Sequence, residues 1–211
     1  MQGGGKNKLS NGFSAMETDH KNNKWVIVRI DGKIAAISTD YRLLASIAAR
    51  LAQQKSPAYQ KITAEIVRFE EVWKIRQDIR WEDMILFGTE FQRKIWRRLF
   101  DLTHDHEGGR VTPRLISYTD FADLCENKAG VRAVAHAVGL NPVSVLIPCH
   151  LVVPKESIDK IREIRKKAES TIFRGDDLCL ESILLDPAID FGEYALGKKL
   201  KRELIFMELI K

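Results

Sequence analysis

The chain predicts an α/β N-terminal domain, a small antiparallel sheet plus helices, followed by a mostly helical C-terminal domain with a helix-turn-helix. Three observations carry that expectation. Trp25-Val26-Ile27-Val28-Arg29-Ile30 and the run from Lys33 to Ser38 flank Asp31-Gly32, the signature of a two-residue hairpin turn. Tyr41 to Gln54 places Leu44, Ile47, Ala48 and Leu51 at helical spacing. Between Ser117 and Gly139, two short helical stretches are separated by a turn.

In chain order, Met1 to about Asn23 is polar, carries Gly3-Gly4-Gly5 and reads as a flexible tail (1–23). The hairpin, the helix over 41–54 and another helical stretch following Pro57 make up an N-terminal domain over 24–86. The second domain, 87–211, opens with a helix whose Thr89 and Gln92 have capping-box spacing. Thr103 to Gly109 is a polar loop in which His104 and His106 are expected to be solvated. Ser117 to Cys125 forms a short helix with Phe121, Leu124 and Cys125 on one face. Glu126-Asn127-Lys128-Ala129-Gly130 is a turn, and the alanine-rich Val131 to Val138 is a second helix closed by Gly139. Such a pair can place its second helix in a DNA groove, although many helix pairs in ordinary cores share the pattern. Asn141-Pro142 then leads into the apolar, strand-like run Val143-Ser144-Val145-Leu146-Ile147 and Pro148-Cys149-His150.

With 211 residues the chain can bury roughly two thirds of its unfolded surface. A net charge of +5 and a pI near 9.1 fit a polyanionic partner without identifying it. The absence of an apolar run long enough to span a bilayer, or of an apolar leader, predicts a soluble intracellular protein with no membrane association. Cys125, Cys149 and Cys179 are too scattered for a disulfide framework and make no metal signature with the histidines.

Cys149 is the candidate nucleophile. A free thiol titrates at about 8.5, so only a small fraction is thiolate at neutral pH unless a base or a positive field takes the proton. His150 is adjacent, but consecutive strand residues face opposite ways, so contact requires a bend after the strand or a bridging water. Pro148 favours such a bend. On these two residues alone, a buried structural cysteine beside a satisfied histidine is the favoured reading.

Order and spacing extend the pattern. Gly88-Thr89-Glu90-Phe91-Gln92-Arg93-Lys94-Ile95-Trp96, Ile116-Ser117-Tyr118, Val131-Arg132-Ala133-Val134, Gly139-Leu140-Asn141-Pro142 and Ile147-Pro148-Cys149-His150 occur collinearly. This segment resembles the C-terminal domain of the O6-alkylguanine-DNA alkyltransferases, the methylated-DNA-protein-cysteine methyltransferases. The resemblance implies that Cys149 accepts the alkyl group irreversibly, that His150 takes the thiol proton through a water, and that Glu208 completes the relay. It implies that Asn141 braces the loop and that Tyr118 helps extrude the nucleotide and protonates the leaving guanine oxygen. Arg132 would fill the gap in the base stack, with Ser117, Tyr118, Ala133 and Ala137 along the DNA-facing side, and Ala135 keeping the helix slim. Val152, Tyr194 and Ala195 would line the substrate pocket. The implied partner is double-stranded DNA containing O6-alkylguanine, bound by a monomer in cytoplasm or nucleus with no cofactor and no metal. A planar guanidinium suits stacking on bases, and extruding a base costs a few kcal/mol that a replacement side chain partly offsets. Taken singly, Arg132 also fits a solvated helix charge, Tyr118 a core-edge aromatic and Glu208 an exposed residue of the closing helix.

Two departures from the family pattern stand out. Leu151 replaces the arginine that usually follows Cys-His, and a segment from about 155 to 191 is inserted before Gly192-Glu193-Tyr194-Ala195-Leu196-Gly197, where Leu196 replaces a glycine. In the insert Ile158, Ile161 and Ile164 recur every three residues among Lys155, Lys160, Arg162, Arg165, Lys166 and Lys167, which predicts an amphipathic helix. Its basic side fits phosphate contact or a plain solvated face. Single-turnover DNA repair is the leading expectation. A non-enzymatic DNA-binding protein that senses alkylated bases or regulates transcription is the alternative, and a cysteine hydrolase a more distant one.

Overall fold

Asp31 and Gly32 both take positive φ, 49° and 83°, the left-handed pair that a two-residue hairpin turn demands. In the computed structural model, which describes residues 24–39, 61–105, 109, 111–170 and 180–210, they join β1 (Trp25–Ile30) to β2 (Lys33–Ser38) with Ile30 opposite Lys33. The expected tail and the expected helix over 41–54 lie outside the described residues. The stretch following Pro57 was expected to be helical, yet Ile62–Val67 forms β3 and pairs antiparallel with β1. Its isoleucines, threonine and valine favour the pleat, and the ladder along β1 decides the conformation. The helix begins later, as α1 (Phe69–Asp78), burying Phe69, Val72 and Arg76 on one face.

β2 lies at the edge of a sheet ordered β2-β1-β3, yet it is buried from Ile34 to Ser38. Its outer edge is capped by the chain that leads to Cys149. Ile37 N–H donates to Pro142 O at 2.9 Å, and Ser144 N–H donates to Ile37 O at 3.3 Å. An otherwise open strand edge is thereby satisfied, and the loop before Cys149 is tied to the N-terminal sheet.

α2 (Glu90–Phe100) starts with both halves of the expected capping box, Gln92 N–H to Thr89 Oγ1 at 3.2 Å and Thr89 N–H to Gln92 Oε1 at 2.9 Å. Ile95, Trp96, Leu99 and Phe100 face the core. β4 (Ile116–Ser117) precedes α3 (Tyr118–Leu124), which Ser117 caps by accepting from Asp120 N–H. After Glu126, at φ 59°, a 3-10 turn at Lys128–Gly130 enters α4 (Val131–Gly139). Trp96 Nε1–H donates to Ala137 O at 2.8 Å, locking α2 against α4.

β5 (Val152–Val153) pairs in parallel with β4. The insert contributes α5 (Lys155–Ser170), as its isoleucine spacing predicts, and α6 (Leu180–Leu185). Ile161, Ile183, Leu184, Ile189 and Phe191 pack with Val153, Ile205 and Phe206 into a second, smaller core. The closing helix is α7 (Lys198–Leu209). His104 is buried rather than solvated, stacked on Phe100 with ring centroids 3.9 Å apart and its Nδ1 3.0 Å from Thr103 Oγ1. A helical turn's separation from Phe100 carries the ring inward; His106 is outside the described residues. No described helix is long and apolar enough to cross a membrane.

Candidate active site

Asn141, just past α4, organises the loop that presents Cys149. Its Oδ1 accepts from Val143 N–H at 3.0 Å, and its Nδ2 lies 2.8 Å from Ile147 O and 3.1 Å from Cys149 Sγ. One amide thus closes both ends of the run 143–147, using its acceptor on one side and its donors on the other. That run is not a strand. Ile147 N–H returns to Val143 O at 3.1 Å, and Val145 sits at φ 76°. A β-branched residue in the left-handed region costs about 1–3 kcal/mol and persists only where its surroundings fix it. Here the surroundings are Asn141, the β2 edge and Arg76, whose Nη1 donates to Val145 O at 2.6 Å and Leu146 O at 2.8 Å. The bend expected at Pro148 follows, and Cys149–Leu151 forms a 3-10 turn. Leu151 is fully buried in the main core, as its apolar side chain requires.

Cys149 is 6% exposed. Burial pushes its thiol up, while the Asn141 amide, the Tyr194 hydroxyl at 4.0 Å and the charge of Lys201 oppose that rise. The resting sulfur is therefore a thiol that needs a base. His150 is completely buried, its Nε2 3.3 Å from Glu208 Oε1. Burial lowers its pKa, against the pull of Glu208, so the ring is neutral at neutral pH. A neutral imidazole facing a carboxylate keeps its proton on Nε2 and leaves Nδ1 as the basic nitrogen. Nδ1 is buried and has no hydrogen-bond partner among the described residues.

Two further residues complete the site, and the sequence reading passed over both. Lys201 is buried on α7, two turns before Glu208 and hence on the same side of the helix. Its Nζ donates to Val152 O at 2.8 Å and Glu193 O at 3.3 Å, and lies 5.8 Å from the centre of the Tyr118 ring. Burial lowers it to about 8, so about nine-tenths remains charged at pH 7. Arg76 pairs with Glu208 Oε1 in full burial. In each case the available signal was a cation at an inward helical position: Arg76 continues the Phe69, Val72 face of α1.

Tyr194 reaches Cys149 from the loop before α7, where Gly192 at φ 81° passes so close to Pro154 that a Cβ would come within 3.0 Å of its ring. Burial raises the phenols of both Tyr118 and Tyr194, and the Cys149 charge adds to each. Both hydroxyls consequently stay protonated. Val152 is buried, and Ala195 is exposed. Arg132 and Ala133 are exposed on α4 and Ala135 half-buried, but Ala137 faces α2 in the core and does not share their side. The 3–4 spacing of Val134, Ala137 and Val138 makes them the inward face. Ser117 is likewise buried, its hydroxyl donating to Asp120 Oδ2 at 2.7 Å.

Residues 90–169 match the family described as 6-O-methylguanine DNA methyltransferase, DNA binding domain. Over this segment, the chain is similar to that family. The probable methylated-DNA-protein-cysteine methyltransferase of Acanthamoeba polyphaga mimivirus is 37% identical over 75 residues, 36% of this chain and 45% of that protein. The inducible methylated-DNA-protein-cysteine methyltransferase of Bacillus subtilis (strain 168) is 38% identical over 68 residues, 32% of this chain and 34% of that protein. The matches therefore span less than half the length of these curated relatives. A solved structure, O6-methylguanine-DNA methyltransferase from the archaeon Pyrococcus kodakaraensis strain KOD1, is similar with a TM-score of 0.48 and 19% identity, covering 88% of this chain and 91% of that one. The family segment contains Cys149 and His150; Tyr194, Lys201 and Glu208 lie beyond it.

Proposed function

We propose that the protein repairs DNA by moving an alkyl group from O6 of a damaged guanine to Cys149, once and irreversibly. The observation that carries this reading is the buried Cys149 held by Asn141, beside a neutral His150 that Glu208 orients, within a segment similar to this family. His150 Nδ1 takes the thiol proton. The sulfur then attacks the alkyl carbon, forming an S–C bond as the C–O6 bond breaks, and the electron pair leaves with the guanine oxygen. The Tyr118 hydroxyl, kept protonated by burial, supplies the proton that neutralises the departing base. The thioether has no route back, so one protein repairs one lesion and needs no cofactor.

Double-stranded DNA carrying O6-alkylguanine is the proposed partner, met by a monomer in cytoplasm or nucleus. The exposed side of α4, with Arg132 and Ala133, enters a groove as the second helix of a helix-turn-helix, and Arg132 stacks where the extruded base stood. Val152 and Tyr194 border the pocket that receives that base.

The test is intact and peptide mass after incubation with a duplex containing one O6-methylguanine. One added methyl on the Cys149 peptide, with loss of the lesion, is the expected result. Cys149→Ala is expected to abolish transfer and retain binding to the alkylated duplex. An unmodified wild-type protein that still binds the lesion would replace this reading with a non-enzymatic sensor.

A further inference from the structure

We propose that Arg76 is a positioning residue for this transfer, holding with one guanidinium both the backbone that presents Cys149 and the carboxylate that orients His150. The inference rests on the reading of Cys149 as alkyl acceptor and extends the site to a helix outside the family segment. Arg76 belongs to α1, far from the Cys149 loop in sequence, yet it is completely buried against it. Nη1 grips the carbonyls of Val145 and Leu146, and Nη2 meets Glu208 Oε1, the oxygen that also faces His150 Nε2.

Each half of this grip has a physical consequence. The Val145 backbone is in the left-handed region and relaxes unless it is held. Its relaxation would shift Cys149, four residues on, relative to Asn141 and Tyr194. On the other side, without the guanidinium the buried Glu208 carboxylate loses a fixed cationic partner and draws a proton onto His150 more strongly. The guanidinium supplies that charge and leaves His150 neutral, with Nδ1 as the base. A planar fork serves both partners at once, whereas a lysine ammonium is a single point charge.

Replacing both members of a buried ion pair with apolar residues is often tolerated, but removing one partner strands the other charge and destabilises the fold. Arg76→Met is therefore expected to lower stability whatever its role, and the transfer rate and its pH dependence carry the test. The charged groups facing His150 are Glu208 and Lys201 from α7 and Arg76 from α1. The Arg76 charge disfavours protonation of His150, so its removal moves the acid limb of reactivity to higher pH.

The experiment uses the full chain and measures, for wild type, Arg76→Met and Arg76→Lys, the single-turnover rate on the O6-methylguanine duplex. It also measures the pH dependence of Cys149 labelling by iodoacetamide, with Cys125 labelling as the gauge of unfolding. Arg76→Met is expected to bind the duplex as wild type does and to transfer about 10- to 100-fold more slowly, the scale that misplacement of a reacting group produces. Its acid limb should move up. Arg76→Lys should leave that limb in place and restore the rate only in part.

A wild-type rate and an unmoved limb in Arg76→Met would overturn the proposal. So would a wild-type rate in Arg76→Lys, which decides the matter if Arg76→Met exposes Cys125 and so fails to fold. Should wild type label at Cys149 but transfer nothing from DNA, the functional reading fails. A slowed, pH-shifted labelling in Arg76→Met would still establish the positioning role.

Discussion

Cys125 and Cys149 belong to one hydrophobic cluster and are about equally buried, 2% and 6% exposed, but their surroundings differ in kind. Cys125 ends α3, where its backbone N–H finishes the helix on Phe121 O and Asp123 O. Burial pushes its thiol up to about 11, with Arg98 and Lys94 opposing and Glu126 adding to the rise. Cys149 is also raised by burial, but an amide, a phenol and a buried ammonium face its sulfur. Burial alone makes a thiol inert. Groups that favour the thiolate, together with a neutral imidazole beside it, allow a buried sulfur to become a nucleophile when a substrate is in place.

The largest change to this contrast should come from Asn141→Ala, which makes the Cys149 loop more like the Cys125 helix end. Val143 N–H loses its partner in a buried setting, at about 1–3 kcal/mol, and Ile147 O gives up one donor while retaining Cys149 N–H at 2.8 Å. The expected outcome is destabilisation on the order of 3 kcal/mol and a fall in single-turnover rate of about 100-fold. Thermal unfolding and quenched-flow transfer check the two halves. Asn141→Asp sharpens the point, because it keeps the acceptor for Val143 N–H but replaces the donor to sulfur with a negative charge. It should regain stability more than rate, and equal recovery of both would mean that the amide acts only as a brace.

The parts of this site that the sequence disclosed are those with local chemistry. Asn141, Cys149 and His150 sit in one short run, Thr89 and Gln92 define a helix start, and Asp31-Gly32 defines a hairpin. The parts that escaped depend on long-range burial. Val143 to Ile147 has the apolar content of a strand, but Asn141 and Arg76 fold it into a loop. Ile62 to Val67 becomes a strand because β1 offers it a ladder. Arg76 and Lys201 are cations at inward helical positions, and only their partners, carbonyls and a carboxylate distant in sequence, distinguish them from solvated charges. The same spacing rule that places Val134 inward also removes Ala137 from the exposed side of α4.

Lys201→Met tests how far the ammonium distinguishes the two thiols. Burial lowers Lys201 from 10.5 to about 8, so between those values the unfolded chain binds a proton that the folded chain has released. Its contribution to stability is therefore least favourable below about pH 8 and rises toward pH 10.5, by roughly 3 kcal/mol at most. Denaturant titrations across that window should show the rise in wild type and a flatter profile in Lys201→Met. The same variant removes a charge that opposes the upward shift of Cys149, so labelling of Cys149 at pH 7 should slow while that of Cys125 does not. A rise in Cys149 labelling would mean that Lys201 chiefly excludes reagent rather than favouring the thiolate.

Cys125→Ala should have the smallest effect. Removing one buried sulfur from the α3 end leaves a small void, worth about 1 kcal/mol, and touches none of the groups around Cys149. In wild type under native conditions, peptide mapping after iodoacetamide should find Cys149 modified before Cys125, with the Cys179 peptide quantified separately. In Cys125→Ala the transfer rate should match wild type. A slowdown beyond about threefold, under 1 kcal/mol of barrier, would mean that the packing beneath α3 reaches the site through Tyr118 at the start of that helix. Burial at Cys125 would then shape the reaction by setting the placement of α3 rather than by holding an inert thiol.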